Sequence, residues 1–238
     1  MKPTRSSQLF IALDTPDLPE ALRLARAVKP FVHGLKIGLE FLTANGPDGA
    51  RRIVELGLPV FADTKFHDIP NTVAGASRAI ASLGVAMFNI HASGGAAMIA
   101  ASREAARGVN PDIKLLAVTV LTSMNGADLD AVGQRGPLGE QVARLAGLAH
   151  REGVDGVVCG ASEIGAVRAA CGEKFLIVVP GIRPEGSANA DQRRTMTPGE
   201  AARAGADVLV VGRPITAARD PGEAAHAIAR ELEHAIAA

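Results

Sequence analysis

The chain has 238 residues, of which 47% are hydrophobic and 21% are charged, as is usual for a globular protein with one large core. Its 25 Lys and Arg residues are balanced by 25 Asp and Glu residues, so no overall field favours nucleic acid or an anionic membrane, and an anion would have to be bound locally. Trp and Tyr are absent, which argues against the base-stacking surfaces of single-strand nucleic-acid binders.

Few features of the sequence report on cellular location. The two cysteines, Cys159 and Cys171, show neither a disulfide framework nor the spacing of metal ligands. The N-terminal residues MKPTRSSQLFIALDTP lack the long apolar stretch and cleavage site of a secretory signal, and no apolar run approaches the roughly 20 residues of a membrane helix. We therefore expect a protein of the reducing cytoplasm with no membrane partner.

Short apolar, β-branched runs recur along the chain, and each ends in a polar or glycine-containing turn. In chain order they are LFIALD, GLKIG, LPVFAD, AMFNIH, KLLAVTVLTS, DGVVCG, FLIVVPG and DVLVVGR. Their hydrophobic residues are nearly continuous rather than alternating with polar ones, which is typical of parallel strands buried on both faces. We therefore predict a strand in each run.

Alanine-rich segments with helical spacing separate these runs. Several of them stop at a glycine, such as Gly57, Gly84, Gly153 or Gly205, where a left-handed helix cap costs least. Eight consecutive βα units in a chain of this length predict an α/β fold, a (β/α)8 TIM barrel, rather than a doubly wound sheet, which usually has fewer strands. No linker or low-complexity tract interrupts the pattern, so residues 1–238 are predicted to form a single domain.

Polar residues and glycines follow the predicted strands. The residues that we place at the strand ends are Asp14, Lys36, Asp63, His91, Thr122, Gly160, Pro180 and Gly212. In a barrel of this kind the active site lies at the C-terminal ends of the strands. The fold therefore predicts that the polar side chains converge on one mouth, namely Asp14, Lys36, Asp63, Lys65, His91, Thr122 and Ser123. For His91, an orienting role and a buried barrel histidine both remain open.

The third predicted strand continues into FADTKFHDIPNT, residues 61–72, which concentrates Asp63, Lys65 and Asp68. Asp63 and Lys65 are two apart, so both side chains can face the same side of a strand. Taken alone, such a pair is also compatible with a structural ion pair. Lys36 on the neighbouring strand favours function, because each buried ion costs several kcal/mol of desolvation unless the geometry is good. Anions on both sides of Lys65 favour a proton donor over an amine nucleophile.

Two segments indicate an anion site. In VLVVGRPIT, Gly212 allows close backbone approach, Arg213 supplies a fork of donors, and the following proline can open a short helix. Barrels often bind phosphate after the seventh and eighth strands, although a plain turn with a surface arginine has the same sequence. The polar segment GIRPEGSANADQRRTMTPGEA is typical of a loop that closes over a ligand, with Arg183 at its base and Gln192 farther along.

Seven segments resemble the bacterial-type orotidine 5'-phosphate decarboxylase family, and the resemblance covers nearly the whole chain. They are FIALD, GLKIG, FADTKFHDIPNT, VTVLTSM, PGIRPEG, DQRRTMTP and VGRPIT. The most specific of them is the Asp-x-Lys-x-x-Asp-Ile-Pro-Asn-Thr string. The resemblance implies conversion of orotidine 5'-monophosphate to UMP and CO2, the last step of de novo pyrimidine synthesis, without a metal or an organic cofactor. The sequence itself shows no convincing spacing of metal ligands.

The resemblance also implies roles for the charged residues. Lys65 would deliver a proton to C6 of the pyrimidine, and Asp63 would lie against the substrate carboxylate. Lys36 would order the charges and contact the ribose, and Asp14 would bind a ribose hydroxyl.

Further roles concern the dimer and the ends of the substrate. Asp68 and Thr72 would enter the site of a partner subunit, which makes a homodimer with shared active sites the functional unit. The remaining contacts would be Thr122, Ser123 and Pro180 to the pyrimidine, Gln192 to base and phosphate, and Arg183, Gly212 and Arg213 to the phosphate.

Two alternatives remain open at this point. A related barrel enzyme could act on a sugar phosphate with the help of a metal, but such enzymes need carboxylate or histidine ligands at strand ends, where Lys36 would repel a cation. A barrel that only binds UMP would have no use for Lys65 and Asp63 opposite the missing carboxylate.

Overall fold

Eight parallel strands form a closed barrel in the structure, a computed structural model that describes residues 7–134, 136–184 and 196–237. Neighbouring strands pair in sequence order, and the first pairs with the last. The strands are β1 (Gln8–Ala12), β2 (Gly34–Ile37), β3 (Val60–Phe66), β4 (Met87–His91), β5 (Lys114–Val118), β6 (Gly156–Val158), β7 (Leu176–Val179) and β8 (Val208–Val211). The predicted (β/α)8 TIM barrel is confirmed.

Helices lie between the strands along the chain. Within the described residues they are α1 (Leu18–Val28), α2 (Leu39–Val54), α3 (Pro70–Ala81), α4 (Gly95–Arg107), α5 (Gly126–Ala131), α6 (Leu138–Arg151), α7 (Ile164–Cys171), α8 (Pro198–Ala204), α9 (Arg213–Thr216) and α10 (Pro221–Ala237). In α1 the Asp17 side chain accepts the Glu20 N–H at 2.9 Å, which caps the first turn, and Leu24 and Val28 are buried at helical spacing. None of the described helices is both long and apolar enough to cross a membrane.

Alternation along the strands gives the barrel two apolar layers. Phe10 and Ala12 of β1 belong to a cluster inside the barrel, while Leu9 and Ile11 belong to the larger cluster shared with the helices. The inner cluster consists of Phe10, Ala12, Phe61, Met87, Leu116, Val178, Val208 and Val210. These side chains fill the centre, so the barrel has a packed core and not a pore.

The end of β5 differs from the sequence prediction. β5 ends at Val118, so Thr122 does not close a strand but lies with Ser123 in the turn that follows. β5 ends level with both neighbouring strands, since Val118 pairs with His91, the last residue of β4, and with Val158, the last residue of β6. Thr119 then donates its N–H and its Oγ1 hydroxyl to the Val158 carbonyl, at 3.1 and 2.9 Å, and the chain leaves the barrel.

Carboxylates at the N-terminal end of the barrel join neighbouring strands. Asp207, directly before β8, accepts the Ile177 N–H at 2.7 Å and Nη2 of Arg168 at 2.6 Å. Asp155, directly before β6, accepts the Leu115 N–H at 2.9 Å in the same way. These charges are used within the fold, at the end opposite the predicted site, so they stabilise the barrel.

Candidate active site

A cavity of about 650 Å³ opens at the C-terminal ends of the strands. Its floor includes Phe61, Val178 and Val210 of the inner cluster, so the charges above it face an apolar surface. The predicted site residues on its wall are Asp14, Lys36, Asp63, Lys65, Thr122, Ser123, Pro180, Arg183, Gly212 and Arg213. The fold thus brings residues from distant parts of the sequence to one concave surface.

Four charged side chains form an array of alternating sign on one side of this cavity. Lys36 is buried, and its Nζ lies 2.6 Å from Oδ1 of Asp14 and 3.7 Å from Oδ2 of Asp63. Nζ of Lys65 lies 2.6 Å from Oδ1 of Asp63. The order Asp14, Lys36, Asp63, Lys65 gives each interior member a neighbour of opposite charge on both sides, which is the geometry that a buried set of ions requires.

Asp63 is the anion at the centre of the array. Burial is the largest single influence on its pKa and raises it, but the ammonium groups of Lys65 and Lys36 and hydrogen bonds from Lys65 and Asn89 outweigh burial, so the pKa lies below its ordinary value. Asp63 is therefore a carboxylate at neutral pH. A second carboxylate brought against it would meet a fixed negative charge in a partly desolvated place.

Gly38 leaves the space that the array occupies. A Cβ at this position would lie 2.8 Å from Oδ1 of Asp14, closer than real Cβ contacts allow, and a tight 3.0 Å from Nζ of Lys36. Any side chain here would push the Asp14–Lys36 ion pair apart. Sequence reasoning placed GLKIG in a strand but did not assign its last glycine; the available signal was a glycine two residues after a strand-end lysine.

Asn89 holds the segment between Asp63 and Lys65. Its Nδ2 donates to Oδ1 of Asp63 at 2.7 Å, and its Oδ1 accepts the backbone N–H of Lys65 at 2.7 Å. Lys65 has a φ of 49°, and the pairing of β3 with β4 shifts register between Ala62 and Phe66. Sequence reasoning missed Asn89 as well, although a single amide inside the apolar run AMFNIH was a usable signal.

His91 at the end of β4 is not among the residues on the cavity wall. Its pKa is lowered by burial first, and then by the neighbouring His67 and Lys65, against an opposing effect of Asp63. The two imidazole rings lie 5.4 Å apart between centroids. His91 is therefore neutral at physiological pH and lies close to the array without reaching the cavity.

Arg183 and Arg213 lie on the part of the wall that follows β7 and β8, with Gly212 directly before Arg213. The Arg183 side chain is buried, and its pKa is lowered by burial first and by the charge of Arg213 second. Its backbone N–H donates to the Met196 carbonyl at 3.0 Å, which fixes the residue at the cavity. Two guanidinium groups that repel each other in a recess would bind a doubly charged anion strongly, because the anion neutralises both.

Two predicted site residues, Asp68 and Thr72, are not on the cavity wall. Asp68, in the loop before α3, and Thr72, in the first turn of α3, are both exposed. Oδ1 of Asp68 accepts the Ile69 N–H at 2.6 Å. Gln192 lies outside the described residues. The predicted contribution of Asp68 and Thr72 to a partner subunit stays a prediction.

The donor set of the site does not resemble a metal centre. Among residues 7–134, 136–184 and 196–237, no group of three or more His, Cys, Asp or Glu side chains is placed to hold a metal ion. At the mouth, Lys36 and Lys65 lie between the carboxylates and occupy the places where a cation would approach them.

A barrel that gathers charges above a cavity at the C-terminal ends of its strands belongs to the class of (β/α)8 enzymes with a site for an anionic substrate. Comparison with known proteins narrows this class. A family model described as orotidine 5'-phosphate decarboxylase / HUMPS family matches residues 7–228, and the chain belongs to that family.

Individual relatives match over nearly their full length. A protein of Anaeromyxobacter dehalogenans named orotidine 5'-phosphate decarboxylase is 53% identical over 232 residues, which are 98% of this chain and 100% of that protein. One of the same name from Moorella thermoacetica is 54% identical over 232 residues, covering 95% of this chain and 92% of the relative. A crystal structure described as orotidine 5'-phosphate decarboxylase from Lactobacillus acidophilus superposes with a TM-score of 0.84 at 36% identity, over 95% of this chain and 99% of that chain.

Proposed function

We propose that this chain catalyses the decarboxylation of orotidine 5'-monophosphate to UMP and CO2, the last step of de novo pyrimidine synthesis, without a metal or an organic cofactor. The observation that carries the proposal is the array of Asp14, Lys36, Asp63 and Lys65 on the wall of a cavity large enough for a nucleotide. Membership of the family supports the same reaction.

Lys65 is the proposed proton donor. In the reaction the bond between C6 of the pyrimidine and the carboxyl carbon breaks, CO2 leaves, and the electron pair stays on C6. Without a cofactor to delocalise that charge, a fixed ammonium group beside C6 has to stabilise the carbanion-like transition state. Lys65 then transfers a proton from Nζ to C6, and water restores the proton after UMP leaves.

Asp63 is proposed to lie against the leaving carboxylate. Its lowered pKa supports this role, because only an ionised Asp63 disfavours the bound substrate relative to a transition state in which the carboxylate becomes neutral CO2. Lys36 holds Asp63 from the other side and reaches toward the ribose. Asp14, at 2.6 Å from Lys36, accepts from a ribose hydroxyl.

Arg183, Gly212 and Arg213 are proposed to bind the phosphate. This end of the substrate is remote from the breaking bond, but its binding energy can be used to exclude water and to orient the base, so truncated substrates should lose turnover as well as affinity. The buried Arg183 beside a second guanidinium supports the assignment.

The pyrimidine is assigned to Thr122, Ser123 and Pro180. The turn after β5 and the end of β7 bring these residues to the cavity wall, on which they can reach a base placed above the apolar floor. Gln192 is proposed to bridge base and phosphate, as the family resemblance implies.

A homodimer with shared active sites is the proposed assembly. Asp68 and Thr72 are not on the cavity wall of their own subunit, and they lie near Ile69, a residue that is 66% exposed. Leu39 and Leu121, both on the cavity wall, are also exposed. An apolar surface beside the mouth supports burial against a second copy, which would bring Asp68 to the partner's array.

The test is to add orotidine 5'-monophosphate to the purified protein in the presence of EDTA and to follow the fall in ultraviolet absorbance. The lack of Trp and Tyr keeps the protein's own absorbance low. We expect turnover that survives exhaustive chelation. Turnover that chelation abolishes and Mg2+ restores would favour the metal-assisted alternative, and UMP binding without decarboxylation would favour a binding protein.

A further inference from the structure

Asn89 lies in the middle of β4 and is fully buried. It lies opposite an irregular part of β3. Ala62 pairs with the residue before Asn89 and Phe66 pairs with the residue after it, so three residues of β3 lie opposite Asn89 alone. Residues 63–65 therefore bulge out of the ladder. Backbone groups in such a bulge lose their ladder partners and need others when they are buried.

Each of the three bulge residues contacts Asn89. Its Oδ1 accepts the N–H of Lys65, its Nδ2 donates to Asp63, and its backbone carbonyl accepts from Oγ1 of Thr64 at 2.6 Å. The orientation of the amide follows from these partners, since a backbone N–H can only donate and a carboxylate can only accept. One side chain thus holds both halves of the Asp63–Lys65 pair.

Lys65 has left-handed backbone geometry, which residues other than glycine seldom adopt unless their surroundings impose it. A return to extended geometry would redirect Cβ and move Nζ away from Asp63, which it now contacts at 2.6 Å. We propose that Asn89 is a positioning residue for the decarboxylation proposed above, on which this inference rests. It fixes the backbone of Lys65 and the carboxylate of Asp63 so that both meet the substrate at the reacting carbon.

The first test compares Asn89→Ala with Ser102→Ala. Ser102 of α4 is also fully buried and shares a 2.7 Å hydrogen bond with Ser77 of α3, and neither residue is on the cavity wall, so its loss removes a buried polar contact between two helices. We expect kcat of Asn89→Ala to fall about 100-fold, as a displacement of about 1 Å can produce, with UMP affinity within about threefold of the parent. The control should lose thermal stability but keep its kcat.

Two results of this comparison would overturn the proposal. One is a kcat of Asn89→Ala within about threefold of the parent. The other is a loss of UMP affinity as large as the loss of turnover, which would make Asn89 a general support of the site and not a positioning residue for the reaction.

The second test uses Asn89→Asp, since a protonated carboxyl has one donor and one acceptor like the amide it replaces. The ionisable groups around this position are Asp63, Lys65, Lys36, His91 and His67. The negative charge of Asp63 opposes ionisation of the new carboxyl group. When that group does ionise, it loses the proton that it would donate to Asp63, and the two carboxylates repel each other. At each pH, kcat of each variant is divided by kcat of the parent. We expect this ratio to be higher for Asn89→Asp than for Asn89→Ala at acid pH, and to fall to the Asn89→Ala ratio as the pH rises. A ratio that stays at the Asn89→Ala level at every pH contradicts the proposal.

A third measurement does not depend on turnover. The Lys65 amide should exchange with solvent at least about tenfold faster in Asn89→Ala than in the parent, relative to the amides of β5, because its acceptor is gone. An unchanged exchange rate would show that Asn89 does not hold this backbone. If the parent protein fails to decarboxylate the substrate, the proposed function fails, while this experiment still decides whether Asn89 fixes Lys65.

Discussion

Removal of the Lys65 ammonium group tests the chemistry most directly. Nζ lies 2.6 Å from Asp63, so a substrate carboxylate that packs against Asp63 would place C6 within about 3 to 4 Å of Nζ. At an effective dielectric constant of about 20, unit charges at that distance interact by roughly 5 kcal/mol, which corresponds to about 10³- to 10⁴-fold in rate. Loss of the proton donor adds a further factor, of about 10² or more. Lys65→Ala should therefore lower kcat by at least about 10⁴-fold.

The assay follows absorbance at saturating orotidine 5'-monophosphate, and calorimetry measures UMP affinity in parallel. UMP has no carboxylate at C6, so its affinity should change by less than about tenfold. Lys114→Ala is the matched control, because Lys114 is a half-exposed lysine whose Nζ lies 3.5 Å from Asp155 at the opposite end of the barrel. A Lys65→Ala variant that binds UMP and turns over within about tenfold of the parent would refute the assigned role.

Four further predictions address the other parts of the site and the fold. In mixtures of Lys65→Ala and Asp68→Ala homodimers, subunit exchange should restore about a quarter of the parent's activity if sites are shared, and none if they are not. Arg183→Ala should lower kcat/KM for orotidine 5'-monophosphate about 100-fold or more while leaving orotidine, which has no phosphate, unaffected; an equal loss on both would contradict phosphate binding. Asp207→Asn should lower the free energy of unfolding by about 1 to 3 kcal/mol in denaturant titrations but leave kcat unchanged, since Arg168, at the end of the barrel opposite the cavity, loses its counter-charge and keeps only backbone carbonyl acceptors. The pKa of Asp63 is lower in the folded state than in the unfolded state, so the ionised group contributes stability above the ordinary Asp pKa and loses it as the pH falls through the lowered pKa. The difference in free energy of unfolding between the parent and Asp63→Asn should therefore shrink below about pH 4. A difference that does not change with pH would contradict this prediction.

Local sequence patterns were sufficient for the barrel and for most of the cavity wall. Nearly continuous apolar runs predicted strands buried on both faces, and the rule that barrel sites lie at the C-terminal ends of strands then placed Asp14, Lys36 and Asp63 together. That inference needs only the order of the strands, because closure of the barrel brings neighbouring strand ends together whatever the loops do. The two-residue spacing of Asp63 and Lys65 predicted that they could meet, but in the structure they meet through a bulge in β3 with left-handed geometry at Lys65, which the spacing does not predict.

Features that depend on contacts between residues distant in the sequence were not predicted. Asn89 looks like one polar residue in an apolar strand, and its importance depends on a bulge in β3, which alternation within a single strand does not reveal. Thr122 belongs to an apolar run that continues past the end of its strand, which stops level with the last residues of its neighbours β4 and β6. The end of a strand thus coincides with the end of its pairing to strands that are distant in the sequence, which local propensity does not reveal.

Charged residues at the two ends of this barrel have different roles, which follow from the groups that they contact. At the N-terminal end, Asp155 and Asp207 each accept a backbone amide of the neighbouring strand as well as an arginine, so their charge is used to join strands. At the mouth, Asp14, Lys36, Asp63 and Lys65 have one another as charged partners, above an apolar floor and beside open space. Ions that only balance each other stabilise a fold poorly, because desolvation offsets their attraction. The charges at the mouth are therefore better explained by the binding of a charged ligand than by a contribution to the stability of the fold.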